Sequence, residues 1–139
     1  DPSNEKLAKL YSTEFYRNIE ARLAPEGVMV TQATSTFFSP HAFSTVASTV
    51  AAAQPDRQIL PFSTNIPSFG EWGFVLSTKT PQDLISQSLP EGLSYQDRAT
   101  LEFIMRTKPP RTETMEPSTL LHPRIVEVYN RDMRQWRYY

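Results

Sequence analysis

Cysteine is absent from this chain of 139 residues, which excludes disulfides, thiolate catalysis and metal sites built on sulfur. The redox compartment stays open. Glycine is scarce, with 4 residues, and Gly27, Gly70, Gly73 and Gly92 lie scattered at turns or close approaches. No glycine-rich phosphate cradle can be assembled from them. Neither sign of charge dominates, since the formal net charge is −1, so nothing electrostatic points to nucleic acid or to an anionic membrane. The only histidines, His41 and His122, read as a helix-start cap and a surface group rather than as a metal pair. No apolar run approaches the roughly 18 residues of a membrane span. No signal peptide and no G-x-S-x-G motif is visible.

Proline is the exception to this scarcity, with 12 residues that punctuate the chain. Its length fits one domain able to bury roughly two-thirds of its unfolded surface. The organising stretch is Gly27-Val28-Met29-Val30-Thr31-Gln32. Its apolar and β-branched residues do not alternate with polar ones, which predicts a short strand covered on both faces. In an open parallel sheet, ligands gather beyond the carboxyl ends of strands. Here that end is Gln32 and the loop to Ser39.

Before this strand, Leu7, Tyr11, Phe15, Ile19 and Leu23, joined by Leu10, make one stripe that predicts a helix from Asn4 to Leu23 capped by Ser3. After it, Ser39-Pro40 opens a helix to Ala53 that is rich in small residues and stops at Gln54-Pro55. A strand over Gln58–Thr64 contains Pro61, which cannot donate to a ladder and so belongs at a sheet edge. The short Asn65–Glu71 link makes Trp72–Thr78 its antiparallel partner. A crossover from the first strand to the edge strand, with the hairpin partner returning between them, gives the spatial order first, third, second.

Helices are expected from Pro81 to Ser88 and from Ser94 to Arg106, the second burying Leu101, Ile104 and Met105. An exposed loop follows over Thr107–Pro117. Pro123 then opens a last helix to Arg137 with the stripe Ile125, Val126, Tyr129, Met133 and Trp136.

Asp1 stands where a preceding strand would end, followed by a proline that stops regular continuation. An acid there is placed to hold a cation in the crevice. Asp1-Pro2, Leu10-Tyr11 with Glu14-Phe15-Tyr16, Gly27 to Gln32, Ile66-Pro67-Ser68-Phe69 and Trp72-Gly73-Phe74 together resemble, in order and spacing, the second half of the spermidine synthase (polyamine aminopropyltransferase) family. The tail from Ser118-Thr119-Leu120 through Arg124-Ile125-Val126 to Trp136-Arg137 is similar to members in which this domain follows a multi-pass membrane segment.

The resemblance implies an α/β fold: the C-terminal half of a Rossmann-like methyltransferase fold over residues 1–79, a three-stranded mixed sheet with helices on both faces, then a helical extension over 80–139. It implies aminopropyl transfer from decarboxylated S-adenosylmethionine to putrescine or a related amine. Asp1 matches the second aspartate of the family's Asp-x-x-Asp-Pro motif, which helps hold the amine. The first, the proton acceptor, would precede this chain. Gln32 matches the glutamine ending the family's next strand. The residues alone read it equally as pocket lining or as a polar strand end bonded to the nearby loop. Phe69 stands where many members carry tyrosine, and Ala33-Thr34-Ser35 lacks a glutamate often found there, which leaves the acceptor open. Trp72 reads as pocket wall or as core.

Further expectations concern context. The chain begins at Asp1 without methionine, which suggests an excised fragment or a processed product. No cofactor and no metal is expected to bind to it, and alone it should be inactive without the missing N-terminal half. A homo-oligomer through the exposed sheet edge is expected, in the cytoplasm or tethered to the cytoplasmic face of a membrane. Two other classes stay open: a non-catalytic half-domain used in assembly, and a methyltransferase-like relative without polyamine activity.

Overall fold

The computed structural model describes residues 1–80, 89–92, 97–106 and 112–136. The helix expected over Pro81 to Ser88, the start of the next at Ser94, residues 107–111 of the expected loop and Arg137 lie outside these residues, as does the side chain of Met105.

The first helix is two helices. Helix α1 spans Glu5–Ala8, a 3₁₀ turn follows over Lys9–Tyr11, and α2 spans Thr13–Glu20. Asn4, not Ser3, caps α1, its Oδ1 accepting from Lys6 N and Leu7 N at 3.1 Å. Ser12 adopts an extended backbone and accepts from Phe15 N at 3.2 Å, restarting the helix as its cap. The break is held from outside, because Thr13 N donates to the Ser118 carbonyl at 2.9 Å. A stripe of period four requires an unbroken helix, so the expected stripe fails in part. Leu7 and Leu10 are exposed, while Ala8, Tyr11 and Tyr16 are buried.

The sheet has strands β1 (Met29–Gln32), β2 (Gln58–Ile66) and β3 (Gly70–Thr78) in the order β1-β3-β2. Strand β3 runs antiparallel to both neighbours, so β1 and β2 point the same way. The spatial order and edge position follow the sequence reading, with Pro61 opposite Val75 on the outer strand. Among the described residues both ladders are antiparallel, because the hairpin partner β3 inserts between β1 and β2.

Helix α3 spans Pro40–Ala53, the limits expected of it. It covers one sheet face, and Phe43, Val46, Val50 and Val75 are fully buried there with Tyr16 and Ile125. Gly73 permits this closeness, since a Cβ on it would sit 2.5 Å from the Phe43 ring and 2.9 Å from the Thr34 carbonyl oxygen. Helix α4 (Arg98–Arg106) contacts β2. Its Ile104 is buried as expected, whereas Leu101 is half-buried. Strand β1 is not covered on both faces, for Val28 and Val30 are 42% and 52% exposed. Among the described residues α3 covers only one face of β1, so a fully apolar run here does not mean double burial.

Residues 112–117 are less free than an exposed loop. Glu113 N and Met115 N donate to Ser44 Oγ and Ser48 Oγ at 3.2 and 3.0 Å, and Ser118 N donates to Thr49 Oγ1 at 3.0 Å. The small hydroxyl residues of α3 thus serve as acceptors for a strand-like segment laid along it. Helix α5 (Arg124–Arg134) closes the core through Ile125.

The cap of α3 is also not the expected one. Ser39 occupies the N-cap position, but its hydroxyl bonds to Thr34 Oγ1 and to the Ser35 carbonyl. The free N–H groups of His41 and Ala42 instead donate to Asp132 Oδ2, both at 3.0 Å. An acid from α5 therefore does the work of a local cap.

Candidate functional site

Strand alternation and register place Gln32, Phe74, Trp72, Thr64 and Ile66 on the sheet face opposite α3. Gln32 pairs with Phe74, Thr64 with Trp72 and Ile66 with Gly70. The turn at residues 67–69, closed by Phe69 N donating to the Ile66 carbonyl at 2.9 Å, folds Phe69 back over this face. Its ring lies 5.3 Å from that of Trp72, tilted by 40°.

Asp1, Gln32, Ile66, Phe69, Trp72 and Phe74 line one cleft of about 390 Å³. All four residues singled out from the sequence border it. Asp1 is an acidic residue of the lining, and the Phe69, Trp72 and Phe74 side chains supply apolar walls. This combination can take an organic cation: the carboxylate opposes the charge while rings cover the carbon chain.

Gln32 is held on two sides. Trp72 Nε1 donates to its Oε1 at 3.1 Å, and its Nε2 donates to the Tyr11 hydroxyl at 3.2 Å. Gln32 borders the cleft, and its side chain is bonded to β3 and to the 3₁₀ turn rather than to the nearby loop. Tyr11 is buried, and burial pushes its hydroxyl above the ordinary phenol pKa while the Gln32 bond pulls it partly back. Nothing in the spacing of Tyr11, Gln32 and Trp72 announced this relay.

The loop after β1 is strained where it leaves the cleft. Thr34 is buried with φ of 67°, a left-handed conformation that β-branched residues avoid. It is fixed by Gly73 N donating to its carbonyl at 2.7 Å and by the Ser39 hydroxyl. The strain keeps the chain from continuing as a strand and turns it toward α3.

A family model described as the spermine/spermidine synthase domain matches residues 1–88. The chain belongs to the spermine/spermidine synthase family. Polyamine aminopropyltransferase 1 of Streptomyces coelicolor is 38% identical over 143 residues, covering 100% of this chain and 26% of that protein. The polyamine aminopropyltransferase of Mycobacterium tuberculosis is 38% identical over 138 residues, covering 96% and 25%. The chain thus spans roughly a quarter of the length of these relatives.

Two solved structures share the fold of this spermidine synthase-family chain. A spermidine synthase in complex with the transition state analogue AdoDATO superposes with TM-score 0.56 at 17% identity, covering 71% of this chain and 36% of that one. The spermidine synthase of Thermotoga maritima gives 0.50 at 13%, covering 91% and 39%. At such identities the likeness speaks for the fold, the Rossmann-like one that the resemblance implied. Among the described residues no helix is long and apolar enough to cross a membrane, and no three His, Asp or Glu side chains gather as a metal site.

Proposed function

We propose that this chain is the carboxyl-terminal part of a polyamine aminopropyltransferase, whose amine acceptor sits in the cleft between Asp1, Gln32, Phe69 and Trp72. The single observation that carries this reading is the shared cleft, in which a carboxylate and a fixed glutamine meet two aromatic rings. Asp1 holds the ammonium end of putrescine or a related diamine. The reacting amine must lose its proton before it attacks, because only the free electron pair can form the new C–N bond.

Its target is the methylene beside the sulfonium of decarboxylated S-adenosylmethionine. The C–S bond breaks, sulfur keeps the electron pair as a neutral thioether, and the amine's proton passes to a carboxylate. In this reading that acceptor is the aspartate preceding Asp1 in the family motif. The part played by this chain is alignment, which lowers the barrier by holding the nitrogen in line with the breaking bond. Phe69 offers no hydroxyl to the amine, so recognition falls to Asp1, Gln32 and the apolar walls.

The test is aminopropyl transfer by the full-length protein from decarboxylated S-adenosylmethionine to putrescine, followed as spermidine formed. Turnover lost on Asp1→Asn supports the reading; full-length protein with no turnover on any diamine sinks it. Residues 1–139 alone are expected to give none. A second reading, assembly through β1, is favoured by the exposed Val28 and Val30 beside its open edge. A strictly monomeric full-length protein argues against pairing between copies.

A further inference from the structure

Asp1 and Trp72 border two cavities. Besides the cleft above, they line a chamber of about 110 Å³ whose other walls are Ser35, Phe38, Ser39, Tyr129 and Met133. Tyr129 and Met133 lie one helical turn apart on α5. A helix from the far end of the chain therefore reaches the same two residues that border the amine cleft.

Its placement is fixed from several directions. Asp132, beside Met133, is bonded to the start of α3. Trp136 Nε1 donates to the Phe38 carbonyl at 2.9 Å, and its ring lies 5.1 Å from that of Phe38. The two serine hydroxyls are engaged locally: Ser35 Oγ accepts from Phe37 N and Phe38 N, and Ser39 Oγ bonds to Thr34 and to the Ser35 carbonyl. What is left to meet a ligand is the Phe38, Trp72 and Tyr129 side chains and the Met133 thioether, with Asp1 among the lining residues.

A mainly apolar chamber bordered by one aspartate complements a methylene chain that carries an ammonium group at one end. Its volume of about 110 Å³ admits a short carbon chain and not a second bulky group. We propose that α5 sets the length of the acceptor amine: the carbon chain beyond the nitrogen held at Asp1 enters this chamber, and Met133 closes it. The inference rests on the aminopropyl-transfer reading and adds the specificity-determining residue to it.

The test is calorimetric titration of the full-length protein with 1,3-diaminopropane, 1,4-diaminobutane and 1,5-diaminopentane. Met133→Ala lengthens the chamber and should shift relative affinity toward the five-carbon diamine by about tenfold, the scale of one methylene in an apolar pocket. Met133→Trp should shift it toward the three-carbon diamine. Opposite shifts cannot come from general loosening of the fold, and Leu121→Ala, at a side chain 86% exposed, should shift neither. Diamines still bound but with unchanged order in both Met133 variants would overturn the role of α5 and leave the aminopropyl-transfer reading standing. No diamine bound by the unsubstituted protein would overturn both.

Discussion

Asp132 and His41 lie 91 positions apart, and one buried carboxylate joins them twice: Oδ2 accepts from the His41 backbone N–H at 3.0 Å, and Oδ1 lies 2.8 Å from the His41 ring Nδ1. As a carboxylate Asp132 only accepts, so the ring carries its proton on Nδ1. The pair ties the start of α3 to α5, and α5 in turn walls the chamber beside Asp1.

Asp132→Ala should destabilise the full-length protein by about 2–4 kcal/mol, because it removes a helix cap and leaves buried donors at His41 and Ala42 without partners. His41→Ala keeps both backbone bonds and should cost only about 0.5–1.5 kcal/mol. Urea unfolding measures the two, and equal losses would deny Asp132 its capping role.

Gly73→Ala should cost about 1–3 kcal/mol, the usual cost of overpacking. The new methyl would meet the Phe43 ring and the Thr34 carbonyl oxygen. Phe43→Leu in the same chain should recover part of the loss, since it removes the ring but not the backbone obstacle. A double variant no better than Gly73→Ala would mean that the carbonyl alone decides.

Thr49→Val should leave the buried Ser118 N–H without its acceptor and cost about 1–3 kcal/mol. Hydrogen exchange at the Ser118 amide should quicken at the same time. Unchanged exchange would show that the segment stays on α3 by other means.

Burial raises the pKa of Tyr11, Tyr16 and Tyr129 above the ordinary phenol value of 10.0. Above that value the unfolded chain releases these protons first, so it binds fewer than the folded chain and stability falls as pH rises. The contribution is fully present below about pH 10 and is lost on the alkaline side. Tyr16→Phe should flatten this decline, measured as urea midpoint against pH. Gln32→Leu should move Tyr11 further up by removing the bond that lowers it, read by ultraviolet titration of the phenol. If the proposed aminopropyl transfer holds, Gln32→Leu should also raise the KM of the full-length protein for the diamine, by about tenfold for one lost hydrogen bond.

Local signals were enough for much of the fold. Ser39-Pro40 and Gln54-Pro55 bound α3 at residues 40 and 53, and Pro61 sent β2 to the edge. The first helix shows how close the limit lies. Ser12 as cap with Glu14 in the first turn forms a legible restart, but the four-residue stripe of Leu7, Tyr11, Phe15 and Ile19 masked it. For the site, Gln32 ends β1 and Phe69 lies in the turn joining β2 and β3, and the family resemblance pointed to both together with Asp1 and Trp72; all four border one cleft.

By itself the sequence determined where α3 starts and stops and which strand of the hairpin is outermost, because caps and prolines act over a few residues. Tertiary structure decided the rest. It chose Asp132 over Ser39 as the partner of α3, laid residues 112–118 on the α3 hydroxyls, and left Val28 and Val30 open. It also brought Tyr129 and Met133 to Asp1 and Trp72. An aspartate on the last turns of an amphipathic helix carries no mark of the helix start it will meet, because that contact exists only once the chain has closed.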